Sequence, residues 1–332
     1  MKNKSILVVG GGGYIGSNLV PELLRVGYKV RVLDIFIYKH KFKPNQNLEI
    51  QTGDIRDIQA VRTSLQNIDY VIYLACVSND PGYEMDPEVG EEINYTAFEP
   101  FVKAAIDAKI SKFIYPSSCS VYGNVGNGIV DETTIPAPLT EYAKSKYKCE
   151  NILIENSNSS FNTIIFRPAT VCGYAPRMRF DLSVNELINK ILHLEEIVIN
   201  GGNCIRPSLH INDMVRAYLN VLANDRTDLS GTIYNLAFEN FTVSENAIRL
   251  ARKMEKNPII IHNDSMDKRS YHVISEKVKV DLNFMPQFGI LNAANDITRA
   301  FHKGLLKDSF SNLYYYNKRV QKKTLFSFYN LN

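Results

Sequence analysis

The chain of 332 residues contains no tryptophan and only five cysteines, which are widely scattered and form no CxxC pair. An odd number of separated cysteines is typical of reduced thiols and argues against a disulfide framework or a zinc site. We therefore expect no metal centre. The five are Cys76, Cys119, Cys149, Cys172 and Cys204.

Long hydrophobic runs are also missing. The longest nearly continuous apolar stretch, Tyr70 to Val77, is less than half of a membrane span. The N-terminal stretch MKNKSILVVGGGG offers only a short apolar segment before its glycines, too short for a signal peptide. We therefore expect a cytoplasmic protein with no membrane partner.

Neither sign of charge dominates, since 38 lysines and arginines stand against 35 aspartates and glutamates. The last sixteen residues, Asn317 to Asn332, carry four of the basic residues and no acidic one. The remaining 34 basic and 35 acidic residues nearly cancel. This balance argues against a nucleic-acid partner. We interpret the basic, aromatic tail as a solvated or subunit-packing end.

The composition, with 45% hydrophobic and 22% charged residues, is that of a globular protein with one large or two associated domains. Residues 5–34 read as strand, glycine turn, helix and strand. Predicted strands at 49–52, 70–75, 113–115 and 163–166 then alternate with predicted helices at 58–65, 93–109 and 142–157. This alternation predicts an α/β fold, a Rossmann-type doubly wound parallel sheet over residues 1–168.

The pattern is less regular beyond Arg167-Pro168. We expect a smaller C-terminal α/β substrate lobe over 169–332, ending in the basic tail. Strands from about 204–240, such as Gly231 to Leu236, are predicted to return to the first sheet.

The first chemical motif is a glycine turn with the pattern G-x-x-G-x-x-G at Gly10, Gly13 and Gly16. Glycines let the backbone turn sharply and approach a pyrophosphate, whose charge lies at the N-terminus of the following helix. The turn follows a predicted strand and opens a predicted helix. This context favours a dinucleotide site over a glycine turn without a ligand.

Asp34, at the end of the second predicted strand, can accept hydrogen bonds from both hydroxyls of an adenosine ribose. Its charge repels a 2'-phosphate, so NAD is favoured over NADP, although Lys39 and Lys41 lie close enough to keep NADP open. Asp54, followed by Ile55, ends the third predicted strand. It can meet the adenine amine or cap the next helix.

The second motif combines Ser118 with Tyr142 and Lys146, the last two forming Y-x-x-x-K. Residues four apart share one face of a helix, so the ammonium lies beside the phenol. A fixed cation and a positive nicotinamide ring lower a phenol's pKa toward neutrality, which makes Tyr142 a candidate base. Ser118 would hydrogen-bond the same substrate oxygen.

Together these motifs resemble the extended short-chain dehydrogenase/reductase family, in particular its nucleotide-sugar epimerases and dehydratases. The matching segments occur in the family's order between residue 1 and about residue 280. They are Gly10 to Gly16, Asp34, Leu74-Ala75, Asn94, Ser117 to Gly123, Tyr142 to Lys146 and Arg167-Pro168.

The resemblance implies that Tyr142 is the catalytic base, that Lys146 binds the nicotinamide ribose and tunes Tyr142, and that Ser118 is the catalytic serine. It implies a nucleotide-sugar substrate held at Asn185, Arg206 and Arg269, and a homodimer formed through two long helices of each subunit. Arg177 and Arg179 either bind an anionic substrate or stabilise their loop. The implied cofactor contacts are Gly10, Gly13, Tyr14, Ile15, Gly16, Asp34, Asp54, Ile55, Leu74, Ala75, Tyr142 and Lys146.

One departure from the family bears on the reaction. Relatives that eliminate water or carbon dioxide have a carboxylate just after the catalytic serine, where this chain has Cys119. Relatives that epimerise C3 and C5 use a cysteine one residue later, where this chain has Ser120. We therefore expect an NAD-dependent epimerase acting through oxidation at C4, with weaker resemblance to bacterial enzymes of polysaccharide sugar synthesis. A C4 dehydrogenase or 4-ketoreductase, or a non-catalytic NAD-binding scaffold, remains open.

Overall fold

A computed structural model describes residues 4–125, 128–263 and 270–324 of the chain. Arg269, one of the predicted substrate contacts, lies outside the described residues.

Strands and helices alternate along the chain. The strands are β1 (Ser5–Val9), β2 (Lys29–Asp34), β3 (Leu48–Thr52), β4 (Tyr70–Tyr73), β5 (Lys112–Pro116), β6 (Ile129–Val130), β7 (Asn162–Pro168), β8 (Thr170–Cys172), β9 (Glu196–Asn200), β10 (Ile205–His210), β11 (Thr232–Leu236), β12 (Glu239–Thr242), β13 (Ile259–Asn263) and β14 (His272–Val273). The α-helices are α1 (Gly16–Arg25), α2 (Ile58–Ser64), α3 (Asp80–Tyr83), α4 (Pro87–Glu91), α5 (Phe98–Asp107), α6 (Glu141–Asn156), α7 (Ser183–His193), α8 (Ile211–Leu222), α9 (Val243–Lys253), α10 (Glu276–Leu282), α11 (Ile290–His302) and α12 (Asn317–Thr324).

The largest sheet has seven strands in the order β11-β7-β5-β4-β1-β2-β3. All of its pairings are parallel. Strands β4, β5 and β7 are buried along their whole length, as expected for a sheet covered by helices on both faces. The chain winds from β1 to β2 on one side and from β4 to β5 on the other. The carboxyl ends of β1 and β4 therefore flank a topological switch point, where such sheets bind ligands.

The predicted fold class is confirmed, and the predicted strands and helices of residues 5–168 are present with small shifts at their ends. The largest difference lies in the helix predicted over 93–109. It is a π-helical turn over Glu92–Thr96 followed by α5 over Phe98–Asp107. Such a turn alters the hydrogen-bond spacing, which hydrophobic periodicity does not reveal.

The strands predicted to return from 204–240 divide between two sheets. Strand β11 joins the large sheet beside β7, as expected. Strand β10 does not, because it pairs with β8 and β12 in a separate sheet of three strands. The chain leaves the large sheet at Pro168, which ends β7 and has no backbone N–H to donate.

Two apolar clusters cover the faces of the large sheet, and a third joins α7, α9 and α11. The first cluster includes Ile6 and Val8 of β1 together with Leu209 and Phe284. Packing therefore crosses residue 168, and a division into two units there stays a prediction. No helix in the described ranges is long and apolar enough to cross a membrane.

Candidate active site

A cavity of about 380 Å³ lies at the carboxyl ends of the strands of the large sheet. Its wall brings together residues from opposite ends of the chain. The predicted cofactor and catalytic residues that line it are Gly10, Gly13, Tyr14, Ile15, Gly16, Asp34, Asp54, Ile55, Leu74, Ala75, Ser118, Tyr142 and Lys146.

The glycine turn is required by close backbone contacts. Gly10 has a φ of +77°, and a Cβ there would lie 2.5 Å from the backbone nitrogen of Ala75. A Cβ on Gly16 would lie 2.2 Å from the backbone oxygen of Gly11. No side chain caps the N-terminus of α1, which begins at Gly16 beside the cavity. This arrangement presents a helix N-terminus to an anionic group.

Asp34 lies at the end of β2, where its carboxylate accepts hydrogen bonds from the backbone N–H groups of Gly12 at 2.9 Å and Phe36 at 2.6 Å. Burial nevertheless raises the pKa of the carboxyl group above its usual value. The two bonds fix the carboxylate at the cavity wall and leave it acceptor capacity for a ligand's hydroxyl groups.

Asp54 lines the same cavity but is also held by Arg56. Its two oxygens receive the Arg56 guanidinium at 3.0 and 2.6 Å. Burial acts to raise the pKa of Asp54, but the hydrogen bonds from Arg56 outweigh it and lower the pKa. The helix-cap alternative for Asp54 is wrong, because Asp57 caps α2 by accepting from Gln59 and Ala60.

Helix α6 carries both members of the Y-x-x-x-K pair on one face. Thr140 caps the helix by accepting a hydrogen bond from the backbone N–H of Ala143 at 3.2 Å. The Lys146 Nζ atom lies 5.9 Å from the centre of the Tyr142 ring. It donates to the carbonyl oxygen of Pro116 at 2.9 Å. The buried ammonium is therefore fixed between the tyrosine and the end of β5.

Tyr142 itself is half-buried, and burial raises the pKa of its phenol. Electrostatic interactions with Cys76 and Asp80 raise this pKa further, whereas Arg179 and a hydrogen bond with Ser118 lower it. Asp80 also lines the cavity, at the first turn of α3. A phenol that acts as a base here therefore depends on positive charge close by.

The segment from Ser118 to Tyr122 is folded so that alternate side chains have different surroundings. The Ser118 oxygen accepts from the Ser120 backbone N–H at 3.1 Å and from its hydroxyl at 2.9 Å. The Cys119 thiol is buried and donates to the carbonyl oxygen of Arg167 at 3.0 Å. Burial raises the pKa of this thiol well above its usual value. The side chain is consequently a poor acid or base.

The predicted substrate contacts differ in position. Arg206, on β10, lines the cavity. Asn185 does not, because its buried amide accepts from the Gly173 N–H at 2.9 Å and donates to Tyr14 and to the Arg179 carbonyl oxygen. The protein uses the polar atoms of Asn185 itself, so this geometry gives no support to a direct substrate contact.

Arg177 is a cavity residue whose role the sequence left open. Its guanidinium carbon lies 3.6 Å from the centre of the Tyr38 ring. Its Nε and Nη1 atoms are buried and have no hydrogen-bond partner among the described residues. Each guanidinium nitrogen of Arg179, by contrast, donates a hydrogen bond, to Asp181 at 2.8 and 3.1 Å and to Ser78 at 2.9 Å. Arg179 therefore stabilises the loop, whereas Arg177 keeps two donors for a ligand.

Two further cavity residues, Asn317 and Gln321, come from the C-terminal segment. We had expected that segment to lie in solvent or at a subunit contact because of its basic charge. The signal for its contact with the cavity lies in two polar, uncharged residues four apart, which flank Lys318 and Arg319.

A parallel sheet with a glycine turn opening a helix onto this cavity defines a dinucleotide-binding fold. The chain belongs to the NAD dependent epimerase/dehydratase family, whose model matches residues 6–237. This match confirms the predicted family and its cofactor, NAD. The glycine turn, Asp34 and the two unpaired donors of Arg177 fit such a dinucleotide.

Curated relatives carry different activities. A Sinorhizobium fredii protein of uncharacterized function is 32% identical over 215 residues, which span 64% of this chain and 52% of that protein. The UDP-glucose 4-epimerase of Halalkalibacterium halodurans is 27% identical and covers 90% of this chain and 96% of its own. The human dTDP-D-glucose 4,6-dehydratase is 29% identical, with 76% and 73% covered.

A solved structure agrees on the fold. The UDP-glucuronic acid 4-epimerase from Bacillus cereus, in complex with NAD, matches with a TM-score of 0.78 at 24% identity, covering 91% of this chain and 100% of that one. Epimerases and dehydratases thus share this fold. The comparisons indicate an NAD-dependent enzyme of the nucleotide-sugar epimerase/dehydratase group and leave its exact reaction open.

Proposed function

We propose that the chain is a nucleotide-sugar epimerase that oxidises its substrate at C4 to a 4-keto intermediate and reduces it again. The observation that carries the proposal is the meeting of Ser118, Tyr142 and Lys146 with the glycine turn in one cavity. A non-catalytic scaffold would bind NAD without this proton-transfer group.

Each residue has a chemical role in this reaction. The Tyr142 phenolate accepts the proton of the C4 hydroxyl, and Ser118 donates a hydrogen bond to the same oxygen. The Lys146 ammonium, fixed at Pro116, stabilises the phenolate. Bound NAD would supply the acceptor for the C4 hydride and the donor for its return. Return to the opposite face, with the proton given back by Tyr142, yields the 4-epimer.

The surroundings of Ser118 favour epimerisation over elimination. Elimination of water needs a second acid or base beside the 4-keto group. The residue after Ser118 is Cys119, whose thiol is turned toward Arg167 and has a raised pKa. With that position inert, Cys119 provides no such group, which favours chemistry at a single carbinol carbon.

We propose that the cofactor and the substrate occupy separate parts of the cavity. We assign the cofactor's adenosine ribose to Asp34 and its diphosphate to the glycine turn and Arg177. Arginine suits the diphosphate because its planar fork matches phosphate oxygens. Arg206 is assigned to the substrate's diphosphate, and Arg269 keeps that assignment from the family resemblance alone.

The location, oligomeric state and biosynthetic role of the enzyme are inferred from the family resemblance. We propose a cytoplasmic homodimer that serves bacterial polysaccharide sugar synthesis. The five cysteines all lie within the described residues and form no disulfide there, which is compatible with a reducing compartment. The two long helices of the proposed dimer are α5 and α6, and sedimentation velocity will show whether the protein is a dimer.

The test is to incubate the purified protein with UDP-, GDP-, CDP- and dTDP-sugars, with and without added NAD. An epimerase converts one of them to its 4-epimer without net formation of NADH. Stoichiometric NADH would instead identify a C4 dehydrogenase, and turnover of a 4-keto sugar with added NADH a ketoreductase. Binding of NAD without turnover of any sugar would support the scaffold.

A further inference from the structure

Helix α12 has one face toward the cavity and the other toward solvent. Asn317, Val320 and Gln321 are each at most 3% exposed. The basic residues Lys318 and Arg319 between them are exposed. Spacings of three and four residues place the buried side chains on a single helical face. The positive charge of the segment is therefore on its outer side, and its inner side is polar and uncharged.

Asn317 connects two loops around the cavity, the one between β4 and α3 and the one between β8 and α7. Its side-chain oxygen accepts a hydrogen bond from Nη2 of Arg177, and its amide donates to the Ser78 hydroxyl at 2.8 Å. Its backbone N–H donates to Asp181 at 3.0 Å. Asn317 thus holds one nitrogen of that guanidinium, Nη2. The other two nitrogens, Nε and Nη1, are left for the cavity.

Gln321 acts one turn further along the helix. Its amide donates to the Tyr38 hydroxyl at 3.3 Å, and Tyr38 is the ring against which the Arg177 guanidinium stacks. Asn317 therefore holds Nη2 of Arg177, and Gln321 holds the Tyr38 ring on which the guanidinium stacks. Both constraints come from one short helix.

Arg177 also contacts α1, the helix that follows the glycine turn. Its backbone N–H donates to the hydroxyl of Ser17, in the first turn of α1, at 3.2 Å. The charges of Arg177 and Asp34 are close enough to affect each other. The guanidinium thus lies between the start of α1 and the end of β2, on the path that a bound dinucleotide follows.

We propose that α12 completes the cofactor site, with Asn317 and Gln321 as positioning residues that hold Arg177 against the diphosphate of NAD. This inference rests on the assignment of Arg177 to that diphosphate in the proposed function. It gives the C-terminal segment a role in retaining the cofactor.

The experiment follows release of the cofactor from the full-length protein. Protein loaded with NADH is chased with excess NAD, and the decay of bound NADH fluorescence gives the dissociation rate; the chain has no tryptophan to interfere. Asn317→Ala is expected to release NADH about tenfold faster, because a hydrogen bond that orients a charged group is lost. Lys318→Ala, on the exposed side of the same helix, is the matched control and leaves the rate unchanged.

A double-mutant cycle separates positioning from a general structural effect. Arg177→Met removes the guanidinium and is also expected to accelerate release. Adding Asn317→Ala to Arg177→Met then produces little further change, because Asn317 acts through Arg177. If the two effects instead multiply, or if Asn317→Ala alone has no effect, the inference is wrong.

Failure of the underlying assignment gives a different result. If Arg177→Met releases NADH at the original rate, Arg177 does not hold the cofactor, and the inference fails together with that assignment. If Asn317→Ala does not fold, Gln321→Leu takes its place in the cycle with the same expected non-additivity, and additive effects again overturn the proposal.

Discussion

At the scale of single residues, the chemistry depends on which side chains are turned into the cavity. Ser118 and Cys119 are neighbours, yet the hydroxyl lies at the cavity beside Tyr142 and the thiol donates to a buried carbonyl. An extended segment places adjacent side chains on opposite sides, which predicts a Cys119 thiol turned away from the catalytic groups. In the structure only Ser118 is extended, and a 3₁₀ helix begins at Cys119. The hydrogen bond to Arg167 was not visible in the sequence, because it depends on a residue 48 positions away.

The charge of Asp80 offers a test of Tyr142 as the base. This carboxylate lines the cavity and raises the pKa of the Tyr142 phenol. Replacing it by Asp80→Asn removes a charge that opposes the phenolate, so the pKa of Tyr142 falls. Because a base is active when deprotonated, the acid limb of the kcat profile is expected to move to lower pH.

The pH profile of the variant is compared with that of the original enzyme and of Glu88→Gln, which removes an exposed carboxylate on α4 outside the cavity. The control is expected to keep the original acid limb. An acid limb that stays in place or moves to higher pH in Asp80→Asn would contradict the assignment of Tyr142.

At the scale of elements, a buried ion pair ties the catalytic helix to the sheet. Glu150 of α6 receives Arg167 of β7 at 3.0 and 2.7 Å, and both side chains are at most 2% exposed. Arg167 also donates to the Tyr122 hydroxyl at 3.0 Å, and Tyr122 donates to Asn235 of β11. The network therefore joins α6, the Ser118 segment and two strands.

Breaking this network is expected to cost stability. Glu150→Gln leaves the Arg167 charge buried without its counter-ion, and removal of one partner of a buried pair typically costs about 3–5 kcal/mol of unfolding free energy. Urea unfolding measures the change. Glu155→Gln, at an exposed position near the end of the same helix, is the control and is expected to stay within about 0.5 kcal/mol. A loss below about 1 kcal/mol in Glu150→Gln would show that the pair does not stabilise the fold.

The elements also show what a sequence pattern can predict. The first βαβ unit was predicted because its strand, glycine turn and helix follow one another, and local periodicity determines such elements. Strand β10 was assigned to the wrong sheet because pairing partners far apart in the chain leave no local signal. Its neighbours, β8 and β12, are separated from each other by 66 residues, from Cys172 to Glu239.

At the scale of the whole molecule, the proposed function requires a nearly neutral chain to hold two anionic ligands with a few local cations. Arg177 and Lys146 are buried at the cavity, and Arg206 lines it. The net charge of +3 does not reveal these three cations, because acidic residues elsewhere in the chain offset them. The basic tail accounts for that net charge, yet the residues that it contributes to the cavity, Asn317 and Gln321, are uncharged. This role depends on contacts over 140 residues, such as that of Asn317 with Arg177, which only the folded chain reveals.

The central claim is that one hydride leaves C4 of a nucleotide sugar and returns to the same carbon. The most direct measurement uses a substrate from the nucleotide-sugar screen carrying deuterium at C4, and follows the product by NMR. We expect a 4-epimer that keeps its deuterium at C4. We also expect Tyr142→Phe to lower the rate on the order of 10²–10⁴-fold. Tyr147→Phe, which changes a tyrosine of the same helix outside the cavity, is expected to leave the rate unchanged. Exchange of the label with solvent, or undiminished turnover in Tyr142→Phe, would contradict the central claim.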